Sequence, residues 1–479
     1  MVPAVPDAPL RRICYNRRRF FYAGTPMSHP APLSSAERRA ISYANTLHLL
    51  VSHIFKQREG ADRVLANYFR EHKKHGSKDR KLIRETLFGL FRWWGWLKNL
   101  PAADDVDASE VLGFSSGLGL AQSPRWFTQL SLVAAIENHP WQDIQSGWLS
   151  QANLAKLEIP AFGDTPESLN HICAALTQQF AFEFAPSDLL PDWAWEHIKL
   201  PDTERLAFVD ALCRRPPLWT RAQGESREQV IKQLEADEIT AKASQVFDDA
   251  IELASQSINL DALAAYKSGK LEVQDLASQA IGEVAAPGAR ERWWDACAGA
   301  GGKSLQLFSL MQKRGGVGEL IASDIRPKAL EELLRRAEKA GFAPIQVSPW
   351  RSDKLPVKAD YFDGVLVDAP CSCTGTWRRN PDMRWIDDAS AILDKPALQL
   401  DILRRASAAV RSGGVLVYAT CSLARAENEG VVEAFLASDE DFELDATAHP
   451  FSGELSAVLT LWPEQANADG MFVARMRRR

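Results

Sequence analysis

"ERWWDACAGAGGKSLQLFSLM", residues 291–311, carries the decision about the fold. It reads as a strand, a glycine-rich loop and the start of a helix. The same rhythm continues downstream. "GELIASDIRPKALEELLRRAEKAG" (318–341) is strand, turn, helix. "YFDGVLVDAPC" (361–371) is a strand with a polar exit. "QLDILRRASAAVRSGGVLVYATCS" (399–422) is helix, Gly-Gly turn, strand. Such alternation predicts an α/β fold, a mostly parallel sheet with helices on both faces.

The loop "DACAGAGGKS" (295–304) suits a nucleoside or a phosphate. It departs from a Walker A loop, because Cys297 stands where the first glycine belongs. It half matches a dinucleotide fingerprint, with Gly299 and Gly301 in place but Ser304 at the third glycine. A third option is a loop for S-adenosylmethionine (SAM), where no pyrophosphate needs cradling. Asp324, at the end of the next strand, can accept hydrogen bonds from both ribose hydroxyls of either cofactor.

Working outward, the 479 residues suggest two to four domains, and the 46% apolar and 25% charged composition is ordinary for globular chains. Residues 1–33, rich in Pro and Arg, read as a disordered tail, an upstream start with Met27 as the true beginning, or a transit peptide. Residues 34–190 read as an all-helical domain that opens on a Ser34 or Ser35 cap with Glu37 in the first turn. Residues 191–280 read as a small α/β subdomain, with "PPLWTRAQ" (216–223) a strand, and 281–479 as the α/β domain proper. No apolar run approaches a membrane span. Seven scattered cysteines favour a reducing, cytoplasmic setting. The net charge of −6 sets up no global basic field, yet leaves room for a local basic cleft.

Histidine is absent between His197 and His449, so chemistry in that stretch must run without it. Cysteine is the alternative. Asp368 and Cys371 sit at one predicted strand end and Cys421, in "YATCS", at another. Ligands of open parallel sheets bind beyond such ends, so the two cysteines can converge. Cys371 and Cys373 stand one residue apart, too few ligands for zinc and too strained for a disulfide, so no metal is expected and Cys373 reads as packing. A thiolate that adds to C6 of cytosine makes C5 able to take a methyl group from a sulfonium. A carboxyl group such as Asp368 would hold the ring. Beyond Cys373, Arg378, Arg379 and Arg384 alternate with Trp377 and Trp385, a pattern able to pair phosphates and stack bases. "REHKKHGSKDRK" (70–81) is a second basic run.

"DACAGAGGKS", "SDIRP", "DAPCSCTGTWRRNPDMRW", "YATCS", "VQDLASQAIGEV" and "ADGMFVARM" together resemble the motifs of the RsmB/Nop2/NSUN family of RNA cytosine-5 methyltransferases. The resemblance covers roughly residues 190–479. It implies a Rossmann-like SAM-dependent domain acting on RNA as a monomer. It implies Cys421 as the C6 nucleophile, Cys371 as the aid to product release, Asp368 as the contact to cytosine and to the cofactor site, and Asp324 on the SAM ribose. Cys297, Ala298, Gly299, Ala300, Gly301, Gly302 and Lys303 correspond to the SAM loop. "SKDRKLIRETLFGLFRWWGWLKNL" and "PDWAWEHI" are similar to the NusB-like RNA-binding domain of the RsmB branch, which methylates small-subunit ribosomal RNA. Two features depart from the family. Gly299-Ala300 replace Ala-Pro in the loop, and Ser348, Pro349 and Trp350 stand where an acidic residue usually holds adenine, leaving Trp350 or Asp353 for that contact. Competing readings are an RNA-binding or ribosome-assembly factor without full catalysis, tRNA as the substrate, and an NAD-dependent oxidoreductase. The last leaves both strand-end cysteines unexplained.

Overall fold

The computed structural model describes residues 33–100, 117–254, 258–342 and 345–479. The expectations for residues 1–32 lie outside them. The first third is helical. Ser34 caps the helix Ser35–Gln57 by accepting from the Glu37 N–H at 3.2 Å, and Glu37 accepts from the Ser34 N–H at 2.8 Å. This reciprocal cap starts the helix where the sequence predicts. Its buried face, including Leu47, Val51 and Ile54, packs into one core with the helices Ser77–Arg92 and Pro124–Ile136. Helices continue past residue 190, through Asp202–Cys213. The helical texture therefore ends later than the sequence reading had it.

A four-stranded antiparallel sheet follows, built of β1 (Leu218–Ala222), β2 (Ala241–Ala243), β3 (Ala250–Leu253) and β4 (Leu271–Val273) in the order β2-β3-β1-β4. Among the described residues the main sheet has eight strands. β5 (Arg292–Asp295), β6 (Glu319–Ala322), β7 (Gln346–Val347), β8 (Phe362–Asp368) and β9 (Val410–Thr420) are parallel neighbours in the order β9-β8-β5-β6-β7. β10 (Phe442–Leu444) belongs to the antiparallel side of the sheet, and β11 (Thr447–Ala448) with β12 (Leu455–Ser456) forms a separate ribbon. β13 (Val458–Leu461) and β14 (Met471–Arg478) close the sheet, with β14 antiparallel to β9, β10 and β13. Apolar clusters cover both faces, as the alternating pattern predicts.

Gly413-Gly414 was expected to form a turn before β9. Instead the strand runs through it. Phe362 pairs with Val410 and Gly364 with Val415, so the pair of glycines sits in a bulge. Gly413 at φ +75° lets the extra residues loop out of the ladder without ending it.

Chain order reverses between β5 and β8: β6 and β7 lie to one side, β8 and β9 to the other. The carboxyl ends of β5 and β8 therefore border the crevice where open α/β sheets bind ligands.

Candidate active site

That crevice is a cavity of about 890 Å³. The loop after β5 forms one wall with Cys297, Ala298, Gly299 and Ala300. Gly301 follows at φ +90°, and a Cβ there would stand 2.5 Å from Leu333 Cγ. Only glycine combines that backbone with that approach. Asp324 enters from the end of β6 and accepts from the Gly299 N–H at 2.9 Å. Arg326, mostly exposed, donates to the same carboxylate from its N–H at 2.8 Å and its Nε at 2.9 Å. Burial works against the Asp324 charge, but these hydrogen bonds hold its pKa below the ordinary value.

The opposite wall holds Trp350, Asp353, Leu398, Ile402 and Arg405. Trp350 is pinned by its Nε1–H, which donates to the Ala296 carbonyl at 2.8 Å, and the Arg405 guanidinium lies 5.2 Å from its ring centre. Asp353, fully exposed, stands 3.7 Å from Arg405. Both residues expected near an adenine thus line the cavity. An acidic carboxylate at one end, a glycine cradle, and an apolar and aromatic wall fit SAM.

Asp368 lines the same cavity, and its Oδ2 accepts from Lys303 Nζ at 2.7 Å. Burial opposes the Lys303 charge, yet the ion pair lifts its pKa above the ordinary value. On Asp368 burial prevails and raises the carboxyl. Beside them Cys371 Sγ and Cys421 Sγ are 3.3 Å apart. Two strand ends bring them together, β8 and β9. Cys371 is held far above the ordinary thiol pKa by hydrogen bonds to Cys373 and Cys421, and by burial.

Cys373 departs from its expected packing role. Its backbone is left-handed, φ +60°, and its Sγ lies with the other two inside a 4.8 Å cluster. It lines the cavity together with Cys371.

Glu427 went unnoticed in the sequence. It is fully buried and accepts from the Ser372 N–H at 2.9 Å, from the Ser372 and Ser422 hydroxyls, and from Gln399 Nε2 at 3.0 Å. Each of these serines follows a cysteine, so one carboxylate joins the two cysteine-bearing segments. The repeated Cys-Ser was the available signal. A second clamp joins them where Gly375 N–H donates to the Cys421 carbonyl at 2.9 Å.

The arginines correct an expectation. Arg378 (2% exposed) donates to the carbonyls of Arg214 and Arg215 and to Asn467. Arg384 (0%) donates to the carbonyls of Leu212 at 2.6 Å and Trp377 at 3.1 Å. Burial pulls both guanidinium pKa values down to about 10. Neither can reach a phosphate, since the helical region covers the segment. Trp377 and Trp385 are buried in the same contact, with Trp385 Nε1–H donating to the Phe91 carbonyl at 2.7 Å. Arg379 is half exposed and pairs with the buried Asp469 of "ADGMFVARM".

The sequence model of the family described as 16S rRNA methyltransferase RsmB/F matches residues 283–477. Ribosomal RNA small subunit methyltransferase B of Cronobacter sakazakii is 32% identical over 411 residues, 84% of this chain and 91% of that protein. The chain belongs to the RsmB/F family of methyltransferases. The probable enzyme of the same name from Synechocystis is 30% identical over 321 residues, 64% of this chain and 68% of that one. Among solved structures, PH0851 superposes with a TM-score of 0.66 at 22% identity, covering 93% of this chain and 99% of its own. NSun6 from Pyrococcus horikoshii with the SAM analogue SFG gives 0.51 at 19%, covering 58% and 94%. These two likenesses bear on the fold alone. The RsmB/F family is SAM-dependent, and the cavity between Asp324 and Trp350 is where this member's residues suit the cofactor.

Proposed function

We propose that this protein is a SAM-dependent RNA cytosine-5 methyltransferase acting on small-subunit ribosomal RNA in the cytoplasm, as a monomer. The observation that carries the reading is the meeting of Cys371 and Cys421, 3.3 Å apart, beside the Lys303–Asp368 ion pair. SAM, when bound, supplies an electrophilic methyl group. The remaining work falls to the chain. A target cytosine leaves its stack to reach a cavity this deep. The Cys421 thiolate forms a bond to C6, and the C5=C6 electron pair becomes available at C5. Asp368, its carboxyl raised by burial, binds the N3 and amino edge of the ring. The Cys421 thiol is pushed up to about 12: its hydrogen bond with Cys371 lowers it, but the one with Cys373 and burial prevail, and the Lys303 charge works with Cys371 to favour the thiolate. After C5 has been alkylated, its proton passes to a base, for which Cys371 as thiolate stands in place beside Cys421. The electron pair of that C–H bond then re-forms the ring double bond as the Cys421–C6 bond breaks. Cys371 is the group nearest to assist this release.

The helical region, similar in pattern to NusB-like domains, would hold the flanking RNA. Its basic run 70–81 is the support for that, with Arg70, Lys73, Lys74, Lys78 and Lys81 all exposed. The rRNA substrate rests on the names of the relatives. Purified protein, SAM and ribosomal RNA from a strain lacking the gene provide the test. Cys421→Ala is expected to lose methyl transfer entirely, and Cys371→Ala to accumulate a covalent RNA–protein adduct on denaturing gels. Normal transfer by Cys421→Ala would sink the mechanism. Bisulfite sequencing of the same RNA locates the cytosine, and a product unmodified at C5 would sink the reaction.

A further inference from the structure

We propose that the three clustered thiols of Cys371, Cys373 and Cys421, two of which line the cavity, form a binding site for a soft, closed-shell divalent cation of the zinc class, with Cys373 as the ligand that completes it. The inference goes beyond methyl transfer, which needs no metal. The Sγ atoms of Cys371, Cys373 and Cys421 all lie within 4.8 Å of one another, and those of Cys371 and Cys421 are 3.3 Å apart. A zinc-class ion about 2.3 Å from each of three sulfurs places those sulfurs about 3.8–4.0 Å apart. The Cys371–Cys421 spacing is about half an ångström shorter than that value and no pair exceeds 4.8 Å, so small side-chain movements bring the thiols to it.

Three further observations support the site. Cys373 adopts φ +60°, a conformation uncommon outside glycine, and that conformation turns its thiol inward, with Sγ 3.6 Å from the Cys371 carbonyl. Cys371 and Cys373 both line the cavity, which gives an ion a way in. Of the carboxylates beside the thiols, Asp368 is paired with Lys303 and Glu427 is taken by the Ser372, Ser422 and Gln399 donors, so among the described residues sulfur is the side-chain donor left for an ion. Three protein ligands leave a fourth position open toward the cavity, as in zinc sites that keep a water. Each thiol releases its proton to solvent on ligation. Because Cys371 and Cys421 are also the thiols of the proposed reaction, an ion there would block it. That consequence alone rests on the preceding reading.

The test is a titration of the reduced full-length protein with Cd²⁺ alone, without RNA or SAM, following the ultraviolet thiolate-to-cadmium charge-transfer band. Wild type is expected to take one equivalent with a three-thiolate band. Cys373→Gly suits the left-handed backbone and should fold normally. It is expected to lower the band by about one third and the affinity by at least about tenfold. Cys373→Ser should do the same, and Cys173→Ala, far away in the helical core, should bind as wild type does. Failure of wild type to bind one equivalent overturns the proposal. So does a Cys373→Gly or Cys373→Ser protein that binds with wild-type affinity and band. Since no RNA is present, loss of the methyl-transfer reading and loss of the metal site are separate results.

Discussion

At the scale of single residues, the site depends on Glu427 as much as on its cysteines. Four donors converge on one buried carboxylate, and they come from the segments after β8 and β9 and from the helix Pro396–Ser407. Burial raises its pKa, while the serine and glutamine donors favour the charge. Glu427→Gln would turn an amide donor toward groups that are themselves donors. We expect a stability loss of about 1–3 kcal/mol. Misplacement of Cys371 relative to Cys421 should lower kcat about tenfold to a hundredfold. KM for SAM should move little, because Glu427 is not among the residues lining the cavity. Thermal unfolding and steady-state kinetics together check this. A kcat within twofold of wild type would show that the two cysteine segments hold their positions without it.

At the scale of elements, the loop between β5 and the helix Gly302–Lys313 is set by backbone geometry more than by side chains. Gly301 combines φ +90° with contact to Leu333 on the helix Pro327–Ala340. Gly301→Ala forces both strain and displacement of that helix. The expected cost is about 1–3 kcal/mol, read as a lowered Tm, together with weaker SAM binding by calorimetry. Unchanged SAM affinity would show that the loop holds its cofactor contacts without this close approach. Asp295, which ends β5, accepts from the Ser304 hydroxyl at 2.6 Å, and burial lifts its pKa to about 7. The loop is therefore tied at both ends, with its first carboxyl largely neutral below that pH.

At the scale of the whole molecule, the segment 377–386 joins the methyltransferase domain to the helical region. Asp382 accepts from the Ala61 N–H at 2.8 Å, and Arg384 and Trp385 bond to carbonyls of the helical part. Next to this junction, buried Glu137 pairs with Arg92 and with Arg215, the latter at 2.8 Å, and accepts from Trp93 Nε1 at 3.1 Å. Burial raises its pKa, but the arginines and His139 prevail and hold it well below the carboxylate range. A depressed carboxyl stabilises the fold fully above its unfolded value and loses that contribution as pH falls toward the folded one. Glu137→Gln should therefore destabilise by about 3–5 kcal/mol at neutral pH. The gap in Tm should narrow as pH drops below the usual carboxylate range. A gap that stays constant with pH would mean the loss is one of packing, unconnected to charge.

Much of this was legible in the sequence, because it is local. Strand–loop–helix alternation, the Ser34 cap, the glycine loop, Asp324, Asp368 and the two strand-end cysteines all follow from periodicity, turn chemistry and motif spacing. What the sequence could not decide depends on which distant surface lands where. Arg378 and Arg384 look like phosphate ligands until the helical region buries them against its carbonyls. Cys373 looks like filler until a left-handed backbone swings its thiol to the other two. Gly413-Gly414 looks like a turn ahead of the strand until pairing with β8 takes up again on both sides of it. Glu427 shows its role only when the two Cys-Ser stretches meet around it, since Ser422 is five residues away but Ser372 is 55. Hydrophobic pattern and turn preference are properties of a few neighbouring residues, whereas the desolvation of a charge and the meeting of thiols are properties of the packed chain.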